Sequence, residues 1–111
     1  MTQADPSIGN VLDRLYTVIQ ERASDDPAAS YTASLLAAGR ERCAKKFGEE
    51  AIETVIAGTQ GAREELTAEA ADTLYHLLVL LAANGVTPGN VAAELARREG
   101  TSGHAEKAAR G

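Results

Sequence analysis

The chain has 111 residues, with 11 Lys and Arg against 16 Asp and Glu, for a formal charge of −5. That is the length of one domain, and its acidic balance argues against a nucleic-acid partner, which requires a basic surface. Only 4% of the residues are aromatic, and the apolar remainder is mostly Ala, Leu and Val, which suit packed helices better than strands, so an all-α fold is expected.

Residues 1–10 hold neither the basic segment nor the apolar core of a signal peptide, and 1–8 are expected to form an extension ahead of the domain. Asn10 is suited to N-cap a first helix, in which Val11, Leu12, Leu15, Val18 and Ile19 recur at helical spacing. The stretch 23–27 ends it, because the residue before Pro27 disfavours the α conformation. Ser30 or Thr32 caps a short second helix that runs to about Gly39. A third spans about 40–57, with Ile52, Val55 and Ile56 as its apolar stripe. Residues 58–61 read as a tight turn.

The next helix is expected over 63–83, stopped by Asn84 and Gly85. Thr87 and Pro88 open a last helix to about residue 99, with proline at its first position. The polar tail, 101–111, is expected to be mobile in part. The longest apolar run, 77–83, is far short of the ~20 residues needed to cross a bilayer, so no membrane partner is expected. A lone Cys43 cannot make an internal disulfide and fits a reducing compartment. The expectation is a single cytoplasmic domain.

Helix 63–83 carries Leu74, Leu77, Leu78, Val79, Leu80 and Leu81 around nearly its whole circumference. A helix apolar all round must be buried all round, and so short a chain has too few neighbours to surround it. A two-fold homodimer is the expected remedy.

Charge is concentrated in the middle of the chain. Seven acids and one base, Arg63, lie between Glu49 and Asp72. Glu50 and Glu53 are spaced i, i+3 and share a helix face, as do Glu69 and Asp72 on the following helix. Folding the two helices back about Gly61 brings Glu53 level with Glu69 and Glu50 level with Asp72, to within a one-residue slip. Four carboxylates then converge between antiparallel helices, with Glu49 beside them. Such groups repel at close range unless a hard divalent cation with oxygen ligands lies among them. The spacing alone also admits a solvated acidic face, although apolar residues flank both motifs.

Because Mg²⁺ usually takes only one or two protein carboxylates, this many acids imply more than one ion. A di-iron carboxylate site would need Glu-x-x-His, and neither His76 nor His104 has an acid three residues before it. His76, one turn after Asp72, is read as a packed or surface side chain in preference to one that orients the acid.

The pair Glu50-x-x-Glu53 and Glu69-x-x-Asp72 resembles the signature of the MazG-type all-α nucleotide pyrophosphohydrolases. Within that superfamily the chain is similar to the phosphoribosyl-ATP pyrophosphatase family. The segments that carry this likeness are SYT at 30–32 with Leu35 and Gly39, KFGEEAIETV at 46–55, EAADTLYHLL at 69–78, and Ser102 and Gly103 followed by Glu106 and Lys107.

The resemblance implies a bundle of four to five helices with a central antiparallel hairpin, completed by dimerisation. It also implies Mg²⁺-dependent hydrolysis of phosphoribosyl-ATP to phosphoribosyl-AMP and pyrophosphate, the second step of histidine biosynthesis. Glu50, Glu53, Glu69 and Asp72 would be metal ligands, and Glu49 either a further ligand or the base that orients the attacking water. Lys45 and Lys46 would meet the triphosphate or act as counter-charges to Glu49 and Glu50. Lys107 and Arg110 would close on phosphate or keep the tail solvated. Arg42 and Cys43 depart from the apolar residues expected just before the lysines, and Cys43 is read as a packing residue. Two rivals remain: a house-cleaning NTP pyrophosphohydrolase, which shares the metal site, and a non-catalytic helical dimerisation module, which has no need of the paired acids.

Overall fold

The computed structural model describes residues 5–110, and every regular element among them is a helix: α1 (Ile8–Arg22), α2 (Tyr31–Ala38), α3 (Arg40–Gln60), α4 (Arg63–Ala83), α5 (Pro88–Arg97) and α6 (Gly103–Arg110). The all-α expectation holds, with one helix more than the four to five expected. Of the N-terminal extension, residues 1–4 lie outside the described residues.

Helix α1 starts earlier than expected because its N-cap is Ser7, whose hydroxyl accepts from the Asn10 N–H at 3.5 Å, which puts Asn10 inside the first turn. Asp26 turns the chain after α1, its Oδ1 accepting from the Ala28 N–H at 3.0 Å. Ser30 then caps α2 by accepting from the Ala33 N–H at 3.1 Å. Gly39 alone separates α2 from α3.

Helix α3 runs three residues past the expected end. Gly58 stays helical, and the reversal falls to Gly61, whose φ of 69° is the left-handed conformation that glycine adopts without a Cβ penalty. At the far end of α4, the Val86 N–H donates to the Leu81 carbonyl (2.9 Å) and the Gly85 N–H to that of Ala82 (3.2 Å), which together form a Schellman stop. Thr87 and Asn90 close a capping box on α5, which ends at Arg97, short of the expected 99.

Most of the polar tail is helical. Ser102 opens α6 by accepting from the Ala105 N–H at 3.0 Å. Glu106 is buried at 6% exposure where Arg97 meets it at 2.7 Å, with Arg98 and Arg110 at 3.7 and 4.0 Å. Gly111 lies outside the described residues.

The core joins α1, α2, α3 and α4 through Tyr16, Ile19, Leu35, Cys43, Leu78 and Val79. Tyr16 also donates from its hydroxyl to the Val86 carbonyl at 2.9 Å, tying α1 to the turn after α4. Cys43 is a packing residue, as expected: it is 1% exposed, its Sγ donates to the Leu35 carbonyl, and burial pushes its pKa up.

Helix α4 is long and apolar enough to cross a bilayer by length and composition alone (mean hydropathy 1.3). In the fold it is instead the central helix, packed by α1, α2 and α3. Its coverage is incomplete, with only 17% of that apolar window buried within the chain. The α3 stripe also differs from expectation. Ile52, Val55 and Ile56 point outward at 62%, 63% and 49% exposure, because the face that α3 turns to α4 carries Thr54 and the acids.

Candidate metal centre on the helical hairpin

Helices α3 and α4 pack antiparallel along their length, and two threonines set their register. Thr54 Oγ1 lies 2.6 Å from Thr73 Oγ1 and 3.0 Å from the Glu69 carbonyl oxygen, while Thr73 Oγ1 lies 3.0 Å from the Glu50 carbonyl oxygen. The level pairs are therefore 54/69 and 50/73, one residue away from the 53/69 and 50/72 expected from the sequence. Sequence reasoning missed both threonines. A signal was present, since each stands four residues after an acid on its own helix.

This register brings Glu50, Glu69 and Asp72 together, each with a carboxylate oxygen within 4.8 Å of the others. Glu53 stands outside this close trio, exposed and beside Glu50 and Glu69. The electrostatics reflect that crowding. Burial, followed by the charge of Glu53, a hydrogen bond with it and the charge of Asp72, holds the Glu50 carboxyl above its ordinary range. Glu69 is also raised, first by the Glu53 carboxyl close enough to share a proton with it, then by burial and the charges of Glu53, Asp72 and Glu50. With all the carboxylates ionised no proton lies between them, and Glu69 Oε2 is left buried without a donor.

A buried acceptor with no donor, among hard oxygen groups, suits a divalent cation. Oxygen ligands of a single Mg²⁺ lie about 3–4 Å apart, so the trio is close to the span of one ion. Glu50, Glu69 and Asp72 are the residues that fit.

Glu49 is not a member of the trio. It accepts from Lys46 Nζ at 3.2 Å, and that hydrogen bond and charge hold its carboxyl below the ordinary range. Lys45 is exposed and Lys46 half-buried, both one turn before the acids. Lys107 and Arg110 lie on α6, which is tied to α5 through Glu106 and is not packed on the hairpin, so one chain does not bring them to the acids. His76 is a packed side chain, buried and edge-on to Tyr31 and Tyr75 with ring centroids 6.0 and 5.0 Å away. Burial pushes its pKa down and favours the neutral ring.

The chain is similar to known proteins over most of its length. The profile described as phosphoribosyl-ATP pyrophosphohydrolase matches residues 12–99. A phosphoribosyl-ATP pyrophosphatase from Cereibacter sphaeroides is 59% identical over 102 residues, covering 92% of this chain and 99% of its own length. One from Paramagnetospirillum magneticum is 59% identical over 100 residues (90% and 92%), and one from Gluconobacter oxydans is 55% identical over 100 residues (90% and 75%). The match takes in all four paired acids and both threonines that align them, and the chain belongs to the phosphoribosyl-ATP pyrophosphohydrolase family of enzymes.

Proposed function

We propose that this protein hydrolyses phosphoribosyl-ATP to phosphoribosyl-AMP and pyrophosphate with Mg²⁺, as the cytoplasmic second step of histidine biosynthesis. The observation that carries the metal reading is the carboxylate trio with the donorless Glu69 Oε2, in a chain closely related to phosphoribosyl-ATP pyrophosphatases. Glu50, Glu69 and Asp72 would hold the cation, and Glu53 would supply further negative charge for it or for a second ion. When bound there, Mg²⁺ would polarise the phosphates and offset charge that develops on the leaving oxygen.

Lys45 and Lys46 are the cations next to the acids and meet the phosphate chain. Glu49, kept ionised by Lys46, orients the attacking water. Water oxygen bonds to the α-phosphorus, the bond from that phosphorus to the bridging oxygen breaks, pyrophosphate leaves with the bridging oxygen, and the water's protons pass to solvent. The working unit is a homodimer, because α4 and the outward stripe of α3 are left uncovered within one chain.

The test is product analysis in ¹⁸O-labelled water with Mg²⁺ present, run beside a panel of ordinary NTPs. Label should enter phosphoribosyl-AMP, unlabelled pyrophosphate should be the other product, and phosphoribosyl-ATP should be preferred over the panel. Label confined to pyrophosphate would place attack on the β-phosphorus. Equal turnover of the NTPs would favour a house-cleaning enzyme.

A further inference from the structure

The threonine pair between α3 and α4 has a symmetry that helix packing alone does not require. Each threonine follows an acid by four residues on its own helix, Glu50 with Thr54 and Glu69 with Thr73. Each hydroxyl also reaches the backbone carbonyl of the acid on the opposite helix, at 3.0 Å in both cases. The two oxygens stand 2.6 Å apart, a separation that requires a proton between them.

Two hydroxyls hold two protons, which leaves three arrangements. Thr73 donates to Thr54 while Thr54 donates to the Glu69 carbonyl or, within its own helix, to that of Glu50 at 3.1 Å, or else Thr54 donates to Thr73 and Thr73 to the Glu50 carbonyl. In each, the bond between the hydroxyls crosses from one helix to the other, and in two of the three the carbonyl bond crosses as well. The pair is part-buried, where hydrogen bonds are less exposed to competition from water. The backbone atoms it joins belong to the two residues whose carboxylates face each other across the seam.

We propose that Thr54 and Thr73 are positioning residues for the metal centre: their relay fixes the separation of Glu50 and Glu69 against mutual repulsion, and so sets the affinity for the cation. This rests on the metal reading above. Outer-shell groups that orient ligands commonly change metal affinity by roughly 10–100-fold when removed. Apart from the relay, the two side chains differ from valine only in a hydroxyl. That makes the shape and the hydrogen bonds separable.

The experiment titrates the full chain with Mn²⁺, an oxygen-seeking stand-in for Mg²⁺, and follows free Mn²⁺ by electron paramagnetic resonance. It compares wild type, Thr54→Val, Thr54→Ser, Thr73→Val and the double valine variant, with far-UV circular dichroism to confirm folding. Valine keeps the shape and removes the hydroxyl, whereas serine keeps the hydroxyl and removes the methyl. Each valine variant should bind Mn²⁺ roughly tenfold more weakly. Thr54→Ser should stay close to wild type, and the double variant should be no weaker than the worse single, since the hydroxyls act as a unit.

A merely structural role reverses the order, with serine weakened by lost packing and valine unchanged, and that result overturns the proposal. Additive losses in the double variant overturn the relay. If Thr54→Val does not fold, Thr73→Val reads the same relay from the other helix. A wild type that takes up no Mn²⁺ would instead overturn the metal reading, and the proposal with it; binding by wild type and valine variants alike defeats the threonine inference alone.

Discussion

Glu69 Oε2 has no donor, and Glu50, Glu53 and Asp72 crowd around its carboxylate. Such a site destabilises the fold without a cation and stabilises it with one. Glu50 and Glu69 have folded pKa values above the ordinary 4.5. Their contribution to stability is therefore fully present below the unfolded pKa and is lost as pH rises through the raised folded values. The metal-free melting temperature should fall from about pH 4.5 toward neutrality through these groups. The gain from millimolar Mg²⁺ should grow over the same window, because the ion binds only the ionised acids and hardly at all the unfolded chain. Glu94, pulled down to about 2 by Arg97 and Arg98, acts in the opposite sense. It lies away from the trio, so it drops out of the difference between the two conditions.

Glu53→Gln keeps the shape and removes one charge. At pH 7 it should melt above wild type without metal, gain less from Mg²⁺ and lose most turnover. Melting like wild type in both conditions with turnover intact would reduce Glu53 to an ordinary surface residue. The four acids were legible because i, i+3 spacing fixes a shared face whatever the packing. That Glu53 sits beside the trio was not, since it depends on which face of each helix the interface selects. The threonines were missed because a hydroxyl carries no charge or apolar pattern to draw attention to it.

Helix ends were legible at Ser30, Thr87-Pro88 and Asn84-Gly85, but not at α1, where Ser7 takes the cap expected of Asn10. They were misplaced where only backbone preference speaks. Gly58 costs a helix about 1 kcal/mol relative to alanine, which packing of α3 along α4 outweighs, so the turn falls at Gly61. The tail was read as polar, which it is, but its helix depends on Glu106 meeting arginines on and beside α5, a long-range pairing that composition cannot reveal.

The two serine caps differ in a way that can be measured. Ser30 is 7% exposed and bonds Ala33 N–H at 3.1 Å, whereas Ser7 is exposed and its bond is 3.5 Å long. Ser30→Ala should cost roughly 1–2 kcal/mol in denaturant unfolding, since the orphaned N–H is buried as well as uncapped. Ser7→Ala should cost only a few tenths by the same measure. Equal losses would mean that burial of the cap has no influence on its worth.

At the scale of the whole molecule, the radius of gyration is 16.1 Å, whereas a compact domain of this length is expected near 13 Å. The excess accompanies two uncovered apolar surfaces. One is the α3 stripe of Ile52, Val55 and Ile56. The other is a groove of about 420 Å³ between α1, α4 and α5, lined by Leu12, Leu74, Leu77, Leu81, Val91 and Leu95. Three large aliphatics about half or more exposed within two turns of one helix are unusual for a chain that works alone.

Sequence periodicity identified α4 as a helix needing cover on every side. It did not show that α3 would leave its own stripe open, because the acids and threonines claim the face toward α4. A second copy would supply the missing cover, and a two-fold arrangement would bury each surface twice. Light scattering at micromolar concentration should give twice the 11.6 kDa chain mass. Val55→Lys puts a charge in the middle of the α3 stripe at a position 63% exposed in the single chain. It should leave the monomer folded by circular dichroism while shifting the mass toward one chain, since an unpaired buried charge is costly at an interface. A Val55→Lys protein that still scatters as a dimer would assign the contact to the groove on the other side of α4, and a monomeric wild type would show that the open stripe faces water.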